Sequence, residues 1–136
     1  MKEDYLSQIE AILGSPIQDD EIQVDLQWNS VKEARQHIRQ INQMKKELRL
    51  VRKNIRQVMK EIRVSFREKK ADVKAGFLAS IWWGAARVRE SQRKELRREE
   101  RASLARYESL LLLIDKALVK LDGLKLELET WIGASK

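Results

Sequence analysis

The feature that most constrains the fold is a run of apolar residues near the C-terminus, spaced by unbroken steps of three and four. It consists of Tyr107, Leu110, Ile114, Ala117, Leu121, Leu124, Leu128 and Trp131. In an α-helix this spacing places every member on one face, as in the buried seam of a coiled coil. The run therefore predicts a long helix over residues 87–132 that packs against another helix.

A second run of the same kind lies upstream and predicts that other helix over residues 30–74. Its members are Val31, Ala34, Ile38, Ile41, Met44, Leu48, Val51, Ile55, Val58, Ile62 and Phe66. Ser30 and Glu33 have the spacing of a capping box, which favours a helix start at this point.

The two predicted helices match in length and are separated by residues 75–86, so the chain is expected to fold back on itself. The predicted fold is all-α: a long antiparallel helical hairpin, or coiled-coil-like bundle, with short N-terminal elements. Folding about residues 75–86 pairs Trp131 with the region of Val31, and Leu110 with the region of Val51. The distal half offers few apolar neighbours to Phe66. We expect it to be loosely packed, or covered by the N-terminal segment or a second chain.

The N-terminal elements, residues 1–29, carry one Lys and seven acidic residues. A short helix is predicted over residues 2–13, ending at Gly14. Residues 22–28 then alternate between apolar and polar side chains, which is a strand pattern. No partner strand is evident in the sequence. A strand here would need another molecule, or the segment stays extended, and the alternation alone leaves strand and helix both open.

Composition agrees with one helical domain spanning residues 1–136. Charged residues make up 36% of the chain, with one Pro and five Gly, a balance typical of long helices. The chain has no Cys, which suits a reducing compartment, and its acidic N-terminus does not resemble a secretory signal. The longest apolar run, residues 75–86, is shorter than the ~20 residues needed to cross a bilayer. We therefore expect a cytoplasmic protein.

The sequence lacks the motifs of an active site. It has no phosphate loop, no dinucleotide-binding glycines, no metal-ligand spacing and no nucleophile with a base beside it. His37 is the only histidine and is interpreted as a polar neighbour of the Ile38 packing position. We expect no enzyme activity, no cofactor, no metal and no small-molecule substrate.

Residues 75–86 are the most apolar part of the chain and contain two adjacent tryptophans. The segment is either part of the core, a protein-binding site or, less favoured, a contact with a membrane surface. The candidate partner-binding residues are Phe77, Leu78, Ile81, Trp82 and Trp83.

The net charge of +7 suggests an alternative role. Basic residues concentrate in the distal arm of the predicted hairpin, where phosphate backbones would be attracted without base readout. The candidate nucleic-acid-binding residues are Lys69, Lys70, Lys74, Arg87, Arg89, Arg93, Lys94, Arg97, Arg98 and Arg101. The sequence thus predicts a non-catalytic assembly or adaptor protein that binds a protein partner, including a second copy of itself. Sequence-nonspecific nucleic-acid binding is the alternative.

Overall fold

A computed structural model describes residues 4–19, 21–80 and 86–135, with the side chains of residues 72–80 and 86–90 excepted. Three helices follow one another: α1 (Tyr5–Leu13), α2 (Val31–Ser80) and α3 (Ala86–Ala134). No strand is present in these ranges, and α2 and α3 pack against each other. The predicted all-α helical hairpin is confirmed.

The helix ends follow from local side-chain chemistry. Asp4 caps α1 by accepting hydrogen bonds from the Ser7 backbone N–H at 3.2 Å and the Ser7 hydroxyl at 2.7 Å. Gly14 ends α1 with a left-handed φ of 75°, and its N–H donates to the Glu10 carbonyl oxygen at 2.8 Å. Both the predicted helix and its predicted end are therefore present.

At the start of α2, the Glu33 N–H donates to the Ser30 hydroxyl oxygen at 3.2 Å. The Glu33 carboxylate reaches back to the Asn29 N–H at 2.8 Å, one residue before the cap. Ser30 thus caps the helix as predicted, with the Glu33 carboxylate on the Asn29 N–H and not on the Ser30 N–H of a standard capping box. At its other end α2 continues past residue 74 to Ser80, so residues 75–80 of the predicted connector are helical and Ala86 already begins α3.

The chain divides into two compact units. The first comprises residues 1–54 and 110–136. Its core consists of buried apolar residues from all three helices and from the segment before α2. These are Tyr5, Ile9, Leu13, Val24, Ala34, Ile41, Leu48, Val51, Leu110, Leu113, Ile114, Ala117, Leu121, Leu128 and Ile132. The predicted seam of α3 is therefore buried at Leu110, Ile114, Ala117, Leu121 and Leu128.

Two ion pairs show the register of α2 and α3 in the first unit. Lys45 pairs with Asp122 and, one heptad later, Arg52 pairs with Asp115 at 3.4 Å. The order is antiparallel, as predicted, but the predicted register is not observed. Pairing Val31 with Trp131 would set Lys45 beside Ala117, five residues before Asp122. α2 continues to Ser80, beyond the predicted end of this helix at residue 74.

Residues 22–28 form neither helix nor strand. Val24 is buried and its alternate neighbours Ile22, Leu26 and Trp28 are half-buried, while the polar residues between them are exposed. Side-chain contacts hold this extended segment. Ser15 donates its hydroxyl to the Gln23 carbonyl at 2.6 Å, and the Trp28 ring meets the Trp131 ring edge-on at 6.3 Å. The alternation thus identified the covered side chains of a segment that has no partner strand.

The second unit, residues 55–109, has a small core of its own. Ile55, Met59, Phe66 and Leu104 are buried, whereas Leu96 is half-buried. At Phe66 the expected loose packing, or cover by a second chain, is not observed, because the residue is buried in the single chain. Met59 was not in the predicted seam. It is buried, while its predicted neighbour Val58 is only half-buried.

Two cations flank this small core. The Lys69 ammonium lies 4.8 Å above the centre of the Phe66 ring, and the Lys70 ammonium pairs with the Glu100 carboxylate at 2.8 Å. No described helix has a stretch long and apolar enough to span a bilayer.

Candidate interaction surfaces

The outward face of α3 in the first unit carries an apolar stripe made of Leu112, Val119 and Leu126. Their side chains are 57%, 72% and 64% exposed, and they follow one another at seven-residue intervals. On a helix of 3.6 residues per turn they lie on the side opposite Leu121 and Leu128, which are fully buried. Regularly spaced, exposed large apolar residues are typical of an interaction surface.

Gly123 lies on the same face, between Val119 and Leu126. A glycine inside a helix can mark a close contact with another helix. Within one chain there is none, since a Cβ added at Gly123 would meet no atom within 4 Å. The space beside the apolar stripe is therefore open to another molecule.

The two borders of the apolar stripe differ in charge. Asp115 and Asp122 follow one border and are the residues that pair with Arg52 and Lys45 of α2. Lys116 and Lys120 follow the other border, and both are exposed. The exposed Glu127, one heptad after Lys120, lies on this second border too, so a docking helix would meet an acidic border on one side and a mainly basic border on the other.

The outward face of α2 in the first unit is cationic. Six exposed residues, spaced by threes and fours except where Asn42 interrupts them, form what we term the cationic stripe. They are Lys32, Arg35, Arg39, Lys46, Arg49 and Lys53. The ion pairs found among the described residues use none of the six.

Acidic residues of α2 lie off the cationic stripe. Glu33 and Glu47 each follow a stripe lysine by one residue, so they lie about 100° further around the helix. In the second unit α2 repeats the pattern with four exposed cations at steps of four, three and four, which are Arg56, Lys60, Arg63 and Arg67. Counting charges along the sequence missed this arrangement. Testing the cations for helical periodicity would have found it.

Four of the predicted nucleic-acid-binding residues come together on α3 in the second unit. Lys94, Arg97, Arg98 and Arg101 line an open surface hollow of about 280 Å³. Their spacing places them on one side of the helix, and all four are exposed, as is Arg93.

The remaining candidates of the basic arm are not gathered at this hollow. Lys69 is exposed and lies over Phe66, while Lys70 is half-buried in its pair with Glu100. The side chains of Lys74, Arg87 and Arg89 lie outside the described residues, although their backbone is helical.

The proposed partner-binding segment also falls outside the described side chains. Phe77 and Leu78 belong to the backbone of α2, and Ile81, Trp82 and Trp83 lie outside the described residues altogether. Their role as core, protein interface or membrane contact stays a prediction.

The His37 side chain contacts the backbone of the extended segment before α2. Its Nε2 lies 2.9 Å from the Gln27 carbonyl oxygen and its Nδ1 lies 3.2 Å from the Gln40 side-chain oxygen. The contact with the Gln27 carbonyl attaches the extended segment to α2. In the ranges that the structure describes, no three His, Asp or Glu side chains are grouped to hold a metal ion.

Comparison with known proteins returned no match to any family model, any curated protein or any solved structure.

Proposed function

We propose that the protein is a non-catalytic helical assembly module that pairs with a second copy of itself through the apolar stripe of α3. The observation that carries the proposal is the exposure of Leu112, Val119 and Leu126 at heptad spacing. Pairing two such stripes would remove large apolar side chains from water, at ~25 cal/mol for each Å² buried.

Charge favours a parallel arrangement of the two α3 helices. In a parallel pair the basic border of one stripe, with Lys120, lies beside the acidic border of the other, with Asp115. In an antiparallel pair each border faces its own kind, and like charges oppose one another. A twofold axis parallel to the helices would then place each Leu112 beside its counterpart.

The pairing is expected to be weak. Stable interfaces bury about 800 Å² on each partner, and three partly exposed side chains supply only a fraction of this area. The assembly should therefore form and dissociate with protein concentration, as suits a module that brings other molecules together transiently.

Disulfide trapping tests the arrangement, because the chain has no native Cys. A Leu112→Cys variant should form a disulfide-linked dimer under mild oxidation. The matched control is Leu50→Cys, since Leu50 is 59% exposed on α2 but has Gln43 and Gln57 at the neighbouring heptad positions. This control should stay monomeric on a denaturing gel.

Other outcomes of the trapping experiment contradict the proposal. Linkage of Leu112→Cys only to a Leu126→Cys partner would mean that the pair is antiparallel. Equal linkage of the Leu50→Cys control would mean random collision. A Leu112→Ser, Val119→Ser, Leu126→Ser variant that sediments like the parent at every concentration would exclude the apolar stripe as the interface.

A further inference from the structure

We infer that the cationic stripe of α2 is a binding surface for the phosphate backbone of nucleic acid. This inference is independent of the proposed self-pairing, which uses α3. It also differs from the sequence prediction, which located nucleic-acid binding in the distal arm.

The spacing of the stripe suits a polyanion. From Lys32 to Lys53 it extends for roughly 32 Å along the helix, at ~1.5 Å per residue. One turn of a duplex spans about 34 Å, and both strands cross any one side within it, so phosphates of both backbones lie within reach of the stripe. Six exposed cations without interleaved acids on the same face make this a local positive field, stronger than a net charge of +7 would indicate.

The chemistry of the stripe disfavours the other anionic partners. A partner helix would have to bury the outward face of α2, where the stripe positions hold Lys and Arg, and removing these charged groups from water is costly. A membrane surface would require apolar side chains to insert beside the charges. Leu50 is the one exposed large apolar residue described on α2 between Lys32 and Lys53. Phosphate contacts remain hydrated and gain free energy from counterion release, so they need neither burial nor insertion.

The inference predicts a steep salt dependence. If four to six of the cations contact phosphate, log K should fall with log salt concentration at a slope of about −3.6 to −5.4 for a duplex. Base sequence should matter little, because backbone contacts carry no direct sequence information.

The test uses the full chain and a labelled duplex of about 20 base pairs, prepared as DNA, where it is roughly 68 Å long, and as RNA. Anisotropy titrations at several salt concentrations compare the parent with a Lys46→Gln, Arg49→Gln, Lys53→Gln variant. The slope should fall in magnitude by about 2.7, and affinity near 0.1 M salt should drop roughly 100-fold or more.

A control variant carries Arg93→Gln, Arg97→Gln and Arg101→Gln, exposed cations of α3 outside both stripes, so its net charge falls by the same amount. It should keep most of the parent's slope. A charge-keeping variant, Lys46→Arg, Arg49→Lys and Lys53→Arg, should bind like the parent and provides a readout if the glutamine variant loses helicity by circular dichroism.

Three results would overturn the inference. Equal losses in the stripe and control variants would mean that only the overall charge matters. Binding to phosphatidylserine vesicles without binding to either duplex would assign the stripe to a membrane surface. No binding at low salt would remove the phosphate partner, because electrostatic attraction is strongest there.

Discussion

The two long helices of the first unit bury similar seams but present opposite chemistry to solvent. On the outward side of α2 the heptad spacing is occupied by Lys and Arg, from Lys32 to Lys53. On the outward side of α3 the same spacing is occupied by Leu112, Val119 and Leu126. Similar seams therefore specify the hairpin, while the outward faces specify what each helix can bind.

This difference has an energetic basis. An apolar stripe gains free energy only by leaving water, so it favours another apolar surface. Burying a cationic stripe costs free energy because the charged groups lose their hydration. Such a stripe therefore favours a negatively charged partner whose contacts remain hydrated. The two surfaces should then act without competing for the same partner.

The largest expected effect is on stability, when the same change, Leu to Arg, is made on the buried side and on the exposed side of α3. Leu121→Arg places a charge in the seam, where Leu121 is fully buried, and should lower the free energy of unfolding by ~3 kcal/mol or more. Leu112→Arg makes the same change on the exposed side and should alter it by ~0.5 kcal/mol or less. Urea titrations at concentrations too low for self-association measure both.

Equal destabilisation by the two substitutions would break the comparison, because it would mean that Leu112 is as buried as Leu121. Two stable variants would mean that α3 does not pack through the predicted seam.

The smallest expected effect concerns the ion pairs that link α2 to α3 in the first unit. Double-mutant cycles to Ala at Lys45–Asp122 and Arg52–Asp115 should give coupling energies of about 0.2–1 kcal/mol, because each aspartate side chain is 58% exposed. The Lys45 pair should be the stronger, since that lysine is 14% exposed against 26% for the arginine.

A coupling energy above ~2 kcal/mol in either cycle would mean that the ion pairs are the main cause of the antiparallel register. Values in the expected range leave burial of the seam as its main cause.

Periodicity predicted the seam of α3, and the capping box predicted the start of α2, because both signals are local and chemically specific. The register was missed because it depends on where the turn lies. The apolar residues after position 74 do not reveal that α2 continues to Ser80. Residues 22–28 alternate like a strand, yet their partners are a tryptophan, a serine and a histidine that lie elsewhere in the chain.

The candidate surfaces were predicted less well than the fold. The sequence predicted the apolar residues that recur on the buried side of α3. It was not used to predict the second apolar repeat, formed by Leu112, Val119 and Leu126 on the opposite side. The basic residues were grouped by their density in the sequence, which favoured the distal arm. Spacing in threes and fours separates the cationic stripe from Lys45 and Arg52, whereas the pairing of those two cations with aspartates of α3 is seen only in the structure.

The most direct test of two separate surfaces is backbone amide NMR of the isotope-labelled 16.0 kDa chain, in two titrations. Adding duplex at low salt should shift the amides of the cationic stripe and leave those of Leu112, Val119 and Leu126 in place. Raising the protein concentration without duplex should do the reverse. If both titrations shift the same residues, or if duplex shifts the α3 stripe and not α2, the account is contradicted.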